Sequence, residues 1–170
     1  MSLANKEKIK RLLHQAEQCL ILGRNTEAEI LSRETVKLDP KNPEAYYFLG
    51  EALCKQRRFK ESIKSLEKVN KLLPKHPRII HLLGWVIFMH GDAHVGRTYL
   101  KQALSVLPED VQILCDLAVL ENSQGKGEAA KEYILKALRI QPNNPLAQEV
   151  FQQVLVFDKS RNRLNKKLTN

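Results

Sequence analysis

Pro40, Pro74, Pro108 and Pro142 stand 34 residues apart, three intervals in a row. Each sits in a short related string: LDPKNP at 38–43, LPKHP at 73–77, LPED at 107–110 and QPNNP at 141–145. An unbroken period of this length is the mark of one supersecondary unit copied and stacked. Each copy buries its apolar face only against its neighbours. A 34-residue period is the length of a helix–turn–helix unit. The seven Gly and seven Pro of the whole chain are few for an all-β protein, which needs many turns.

Counting each unit so that its proline is position 32, the units run 9–42, 43–76, 77–110 and 111–144. The second carries Tyr46, Leu49, Gly50, Leu53, Ser62, Leu66, Val69 and Pro74 in register. The third has Ile80, Leu83, Gly84, Ile87, Gly96, Leu100, Ala103 and Pro108 at the same places. The fourth has Leu114, Leu117, Ala118, Glu121, Ala130, Ile134, Ala137 and Pro142. The first has Leu12, Gln15, Ala16, Cys19, Ala28, Ser32, Thr35 and Pro40. In this pattern the chain resembles the tetratricopeptide repeat family over residues 9–144. The resemblance implies an all-α fold, a right-handed α-solenoid of antiparallel helix pairs. Glu121 stands where the family has an aromatic, and Gln15 where it has a leucine. The first unit matches least, as an end of an array does.

Elementary chemistry accounts for the pattern. Gly inside a helix costs about 1 kcal/mol relative to Ala, so Gly50 and Gly84 make sense only where a side chain would clash. Ala28, Ala118 and Ala130 belong to the same crossing points. Asn42-Pro43 and Asn144-Pro145 place a capping side chain before a proline at the first helical position, and Asp110 can cap in the same way. Gly23, Gly91 and Gly125 share one point of units one, three and four, where the first helix ends and the chain reverses. Unit two has Arg57 there, and a different turn geometry is expected for it.

After Pro145, the residues Leu146, Val150, Phe151, Val154 and Phe157 are spaced as one face of a helix. A capping helix over about 145–157 is expected to cover the fourth unit. A basic, polar tail follows over 158–170, with Lys159, Arg161, Arg163, Lys166 and Lys167.

Lys and Arg outnumber Asp and Glu by 28 to 19, for a net charge of +9. That balance favours acidic partners, nucleic acid or anionic membrane. Cys19, Cys54 and Cys115 are odd in number and widely spaced, which argues against a disulfide framework or a zinc ribbon. A reducing compartment fits, and the opening MSLANKEKIKRLL has no apolar signal region. A cytoplasmic location is the expectation. The sequence contains no phosphate loop, dinucleotide fingerprint, nucleophile elbow or H-E-x-x-H. His90 and His94 straddle the turn at Gly91-Asp92 and do not share a helix face. A non-enzyme is expected, with no cofactor and no metal.

LLGWVIFMHG at 82–91 is too apolar for a helix with one wet face, yet far short of the ~20 residues that span a bilayer. It falls on the first helix of the third unit, in mid-array. Leu83, Gly84 and Ile87 serve its packing, and Trp85, Phe88 and Met89 are surplus. In the family, positions 2, 5, 9, 12 and 13 commonly face the concave surface. Across the units this implies a groove of Leu13, Glu17, Tyr47, Glu51, Arg78, His81, Trp85, Phe88, Met89, Val119 and Asn122, and Phe48, beside Tyr47 at position 6, is read as a further apolar anchor. Lys10, Leu20, Ile21, Cys54, Lys55, Cys115 and Ser123 join at the same positions. The expected centre is aromatic and aliphatic, with charge at its margins. Exposed apolar patches of this kind mark interaction sites, and Trp and Tyr are frequent hot spots. Some relatives clamp a partner's C-terminal carboxylate with Lys, Asn and Arg. Leu13, Glu17, Phe48, Arg78 and Leu82 hold those places here, and only Arg78 suits the chemistry.

The resemblance therefore implies an adaptor that binds a peptide or helix of a protein partner. Two other readings stand beside it. Arg57, Lys60, Lys64, Lys68, Lys71 and Lys75 are spaced as six cations along one face of the second helix of unit two. A nucleic acid or an anionic membrane could engage them, although no aromatics interleave for base stacking. Self-association through the groove or the capping helix would give a homodimer.

Overall fold

The computed structural model describes the backbone of residues 2–168 and the side chains of residues 2–156. Among the described residues there are nine α-helices and no strand. They are α1 (Leu3–Ile21), α2 (Asn25–Leu38), α3 (Pro43–Lys55), α4 (Phe59–Leu72), α5 (Pro77–His90), α6 (Ala93–Val106), α7 (Val111–Ser123), α8 (Gly127–Ile140) and α9 (Pro145–Leu168). Each odd helix pairs with the even helix after it, from α1·α2 to α7·α8, and the hairpins stack in chain order. The architecture is a helical solenoid. α9 packs on both α7 and α8. It runs as one helix from Pro145 to Leu168, so no element boundary falls near 157. The side chains of Phe157 and of the basic cluster Lys159, Arg161, Arg163, Lys166 and Lys167 lie outside the described residues.

The helix starts follow from local chemistry. The Asn42 side-chain oxygen accepts from the Ala45 N–H at 2.9 Å, that of Asn144 from Ala147 at 3.1 Å, and that of Asp110 from Ile113 at 3.0 Å. Asp92 caps α6 through the Val95 N–H at 2.9 Å. Such a cap contributes about 1 kcal/mol. At the reversals Gly23, Gly91 and Gly125 adopt positive φ. Arg57 also does, at φ 61°, with its N–H bonded to the Cys54 carbonyl at 2.9 Å. The expected alternative geometry is thus corrected. The second hairpin uses the same left-handed turn and carries its steric cost, roughly 1–2 kcal/mol for a residue with a Cβ.

The hairpins close on small residues. A Cβ added to Gly84 would stand 2.8 Å from Tyr99 Cβ, 3.0 Å from the Leu100 nitrogen and 3.1 Å from the Gly96 carbonyl oxygen. At Gly50 the clash is with the Leu66 side chain alone, at 2.7 Å. There the buried Ser62 hydroxyl donates to the Gly50 carbonyl at 2.6 Å, so a polar residue in the seam is satisfied. Leu66, Leu83, Leu100, Leu114 and Ile134 are among the fully buried side chains that fill the stack. Truncating any such leucine to alanine typically costs 2–5 kcal/mol.

Buried carboxylates tie hairpins together, Glu121 and Glu29 among them. Glu121, standing at the expected aromatic position, is 3% exposed and receives Arg97 from the preceding hairpin at 2.6 and 3.0 Å. Glu29, 8% exposed, receives Arg33 from its own helix and Arg58 and Gln56 from the next hairpin, all within 2.9 Å. Burial disfavours the Glu29 charge, but the bonds from Gln56, Arg33 and Arg58 outweigh it. Its carboxyl is held below the ordinary 4.5.

Candidate binding hollow

A hollow of about 540 Å³ opens on the side of the array lined by the odd helices. Its walls come from α3 (Tyr47, Glu51, Cys54, Lys55), α5 (Arg78, His81, Leu82, Trp85), α7 (Gln112, Cys115, Asp116, Val119) and α9 (Leu146, Glu149, Val150, Gln153). One rule generates the last three walls. Counting from Pro77, Val111 and Pro145, each helix contributes its second, fifth, sixth and ninth residues. Helical geometry puts those four on one face. α9 therefore takes the place of the first helix of a further unit and supplies a wall as well as covering α8.

Trp85 is half-buried, with its indole 5.5 Å from the Phe88 ring centroid. It is not sealed between helices. Tyr47 carries the Arg78 guanidinium over its ring at 5.6 Å. Burial, and then the nearby Glu51 charge, push the Tyr47 phenol above its usual pKa, against the pull of Arg78. The centre of the hollow is more polar than the sequence implies. His81 Nε2 lies 2.6 Å from the Asp116 carboxylate, whose other oxygen accepts from Gln112 at 3.0 Å. Asp116 is 6% exposed, a buried carboxyl with both oxygens hydrogen-bonded. Lys55 pairs with Glu51 at 3.1 Å and donates to the Leu20 carbonyl at 3.2 Å. The Cys54 and Cys115 thiols are both pushed up to about 11, chiefly by burial and then by Glu51 and Asp116 respectively. Both stay protonated near neutral pH, so neither supplies a thiolate nucleophile.

Of the groove positions expected from the sequence, Tyr47, Glu51, Cys54, Lys55, Arg78, His81, Trp85, Cys115 and Val119 line this hollow. Glu17 and Phe48 line a smaller neighbouring one of about 320 Å³, which shares Tyr47 and Arg78. Asn122 and Val119 line a third, against α9. Leu13 and Phe48 are 8% and 7% exposed and belong to the core between α1 and α3. Phe88 packs on the buried cluster of α5, α6 and α7, and Met89 is exposed. The sequence reading does not reach Gln112, Asp116 or the four residues of α9. A signal for α9 is present in the sequence: Pro145 follows Asn144 as Pro43 follows Asn42, and the same register continues past it.

The six-cation series is corrected in part. Lys60, Lys64, Lys68 and Lys71 lie exposed on α4, but Arg57 and Lys75 lie outside that helix, both at positive φ. Lys68 Nζ sits 5.9 Å from the ring centroid of Tyr46, which α3 contributes from outside the series. No helix among the described residues is long and apolar enough to cross a membrane. No group of three or more His, Cys, Asp or Glu among them is arranged to hold a metal ion.

Comparison with known proteins agrees with the geometry. A tetratricopeptide repeat profile matches residues 20–86, and a second matches residues 83–145. The chain belongs to the tetratricopeptide repeat family, whose members are in general protein-interaction scaffolds. No curated protein sequence matches it. Among solved structures it is similar to a thermophilic tetratricopeptide repeat protein of Thermus thermophilus. The TM-score is 0.78 at 23% identity, over 87% of this chain and 81% of that one. It is also similar to PilF of Pseudomonas aeruginosa, with TM-score 0.77 at 18% identity, over 92% of this chain and 72% of that one. MamA of Desulfovibrio magneticus superposes with TM-score 0.69 at 21% identity, over 90% of this chain and 96% of that one. At these identities the likeness is one of fold.

Proposed function

We propose that the hollow framed by α3, α5, α7 and α9 holds a peptide or helix of a partner protein, with Trp85 as its apolar anchor. The observation that carries this reading is the half-buried indole on the wall of a space of about 540 Å³ that no segment of the described chain fills. Ligand sites are commonly hollows of roughly 300–1,000 Å³ that combine apolar walls with a few placed polar groups. Tyr47, Leu82, Trp85, Val119 and Val150 supply the apolar walls here. Arg78, the His81–Asp116 pair and Glu149 supply direction. With both lining thiols protonated, the hollow is suited to binding rather than to covalent chemistry.

A bound helix would present anchors at i, i+3 or i+4, and i+7. The test begins with a peptide selected against the purified protein from a displayed library. Trp85→Ala is expected to weaken that peptide by about 2 kcal/mol, near thirtyfold, with helix content unchanged. Unchanged affinity in a folded variant would refute the reading. Salt separates this site from an electrostatic one. An apolar anchor responds little between 50 and 200 mM, whereas six phosphate contacts lose about a thousandfold.

A further inference from the structure

A further hollow, of about 460 Å³, lies between α2 and α4 and shares no residue with the Trp85 hollow. Arg33, Val36 and Lys37 form one side, Lys64, Ser65 and Lys68 the other, and Tyr46 and Leu49 of α3 the base. The repeat shows why it is open. Ser65 corresponds, 34 and 68 residues on, to Tyr99 and Tyr133. Both tyrosines are half-buried and pack on the cluster formed by α5, α6 and α7, so each later unit has a ring where this cleft has only a hydroxymethyl group. Only the first cleft has a small residue there.

Charge is concentrated in the same place. Arg33, Lys37, Lys64 and Lys68 give this cleft four cations and no carboxylate lining. Their counterparts one unit on are Glu67, Lys71, Thr98 and Gln102, and two units on Lys101, Ser105, Glu132 and Lys136. Those sets sum to zero and +1. Arg33 is engaged by Glu29 and Glu61, but Lys37, Lys64 and Lys68 have no ion pair among the described residues.

We infer that the cleft between α2 and α4 is a docking site for an acidic peptide segment of a partner protein, one apolar side chain entering over Val36 and Leu49 while flanking carboxylates meet Lys37, Lys64 and Lys68. Charge complementarity selects an anion, and the apolar base selects a peptide over a phosphate backbone, which has no side chain to bury. Nucleic acid fits less well. The one ring, Tyr46, has Lys68 over its face and offers no free stacking platform. The Ser65 hydroxyl already donates to the Glu61 carbonyl. This site is independent of the Trp85 hollow.

The experiment is fluorescence anisotropy with a labelled peptide DDEDLDEDD on the full chain. Ser65→Tyr copies the residue of the later units, so it fills the cleft while preserving the fold. It is expected to weaken the peptide by roughly tenfold or more. Lys64→Gln combined with Lys68→Gln should do the same, and Trp85→Ala should leave binding unchanged. Replacing the peptide leucine by serine should cost about tenfold as well. Equal binding by folded Ser65→Tyr, indifference to the leucine, or an oligothymidylate of matched charge binding more tightly than the peptide would each overturn the assignment. No binding of the peptide at all would do so too.

Discussion

The two sides of α5 are built to opposite rules. Toward α6, Gly84 faces Gly96, and the backbones approach until no Cβ fits. About a quarter-turn round the helix, Arg78, His81 and Trp85 project large side chains at a hollow that the described chain does not fill. The seam gains its stability from close contact, at a helix-propensity cost of about 1 kcal/mol for each glycine. The hollow side leaves apolar area uncovered and places charges beside it, which self-packing alone does not require. The difference teaches where a substitution acts. On the seam it should change folding, and on the hollow side it should change binding.

The largest effect expected from this contrast is on the seam. Gly84→Val sets a branched side chain against the Leu100 nitrogen and the Gly96 carbonyl, neither of which can rotate away. We expect a loss of about 3 kcal/mol of unfolding free energy, measured by urea denaturation. A variant as stable as the parent would show that α5 and α6 are not in close contact.

Next comes the acid limb of stability, which arises between hairpins. Glu29 is held below its ordinary pKa in the folded state. Its contribution is therefore fully present above about pH 4.5, the value it regains on unfolding, and is lost as pH falls through its folded value. Glu29→Gln should be less stable than the parent at pH 7, and the gap should narrow as pH falls below 4.5. Melting curves at several pH values check this. A gap that stays constant would mean that the carboxylate is not held by Arg33 and Arg58.

The smallest effect is at the turn before α4. Arg57→Gly removes the left-handed strain of a residue with a Cβ, while giving the unfolded chain more freedom. We expect a net gain of about 0.5–1 kcal/mol in chemical denaturation. Gly91→Ala, at φ 115°, should go the other way.

What could be read in the sequence divides along the same line as α5. The 34-residue spacing of the prolines, the seam glycines and the caps at Asn42, Asp110 and Asn144 were legible, because each expresses a local rule of backbone geometry. The groove was legible as a face of each helix, since position in the unit fixes direction. Depth was not legible. Leu13 and Phe48 share that direction, but α1 and α3 pack closely enough to bury them. The polar centre was missed for a related reason. Asp116 is adjacent in space to His81 only because α5 and α7 become neighbours one unit apart. Glu121 read only as a departure from the family pattern, because its partner Arg97 comes from the preceding hairpin. The turn at Arg57 was missed because composition suggests glycine there, whereas stacking imposes the turn on whatever residue is present.

Trp85 is the single tryptophan of the chain, so its emission reports the hollow without a label. The most direct measurement is quenching of that emission by acrylamide, with and without a saturating library-selected peptide. Bound peptide should shift the emission to the blue and sharply reduce quenching, and the acidic peptide of the α2–α4 cleft should do neither. Emission and quenching unchanged at full occupancy would show that the selected partner binds elsewhere, and the central claim would fail.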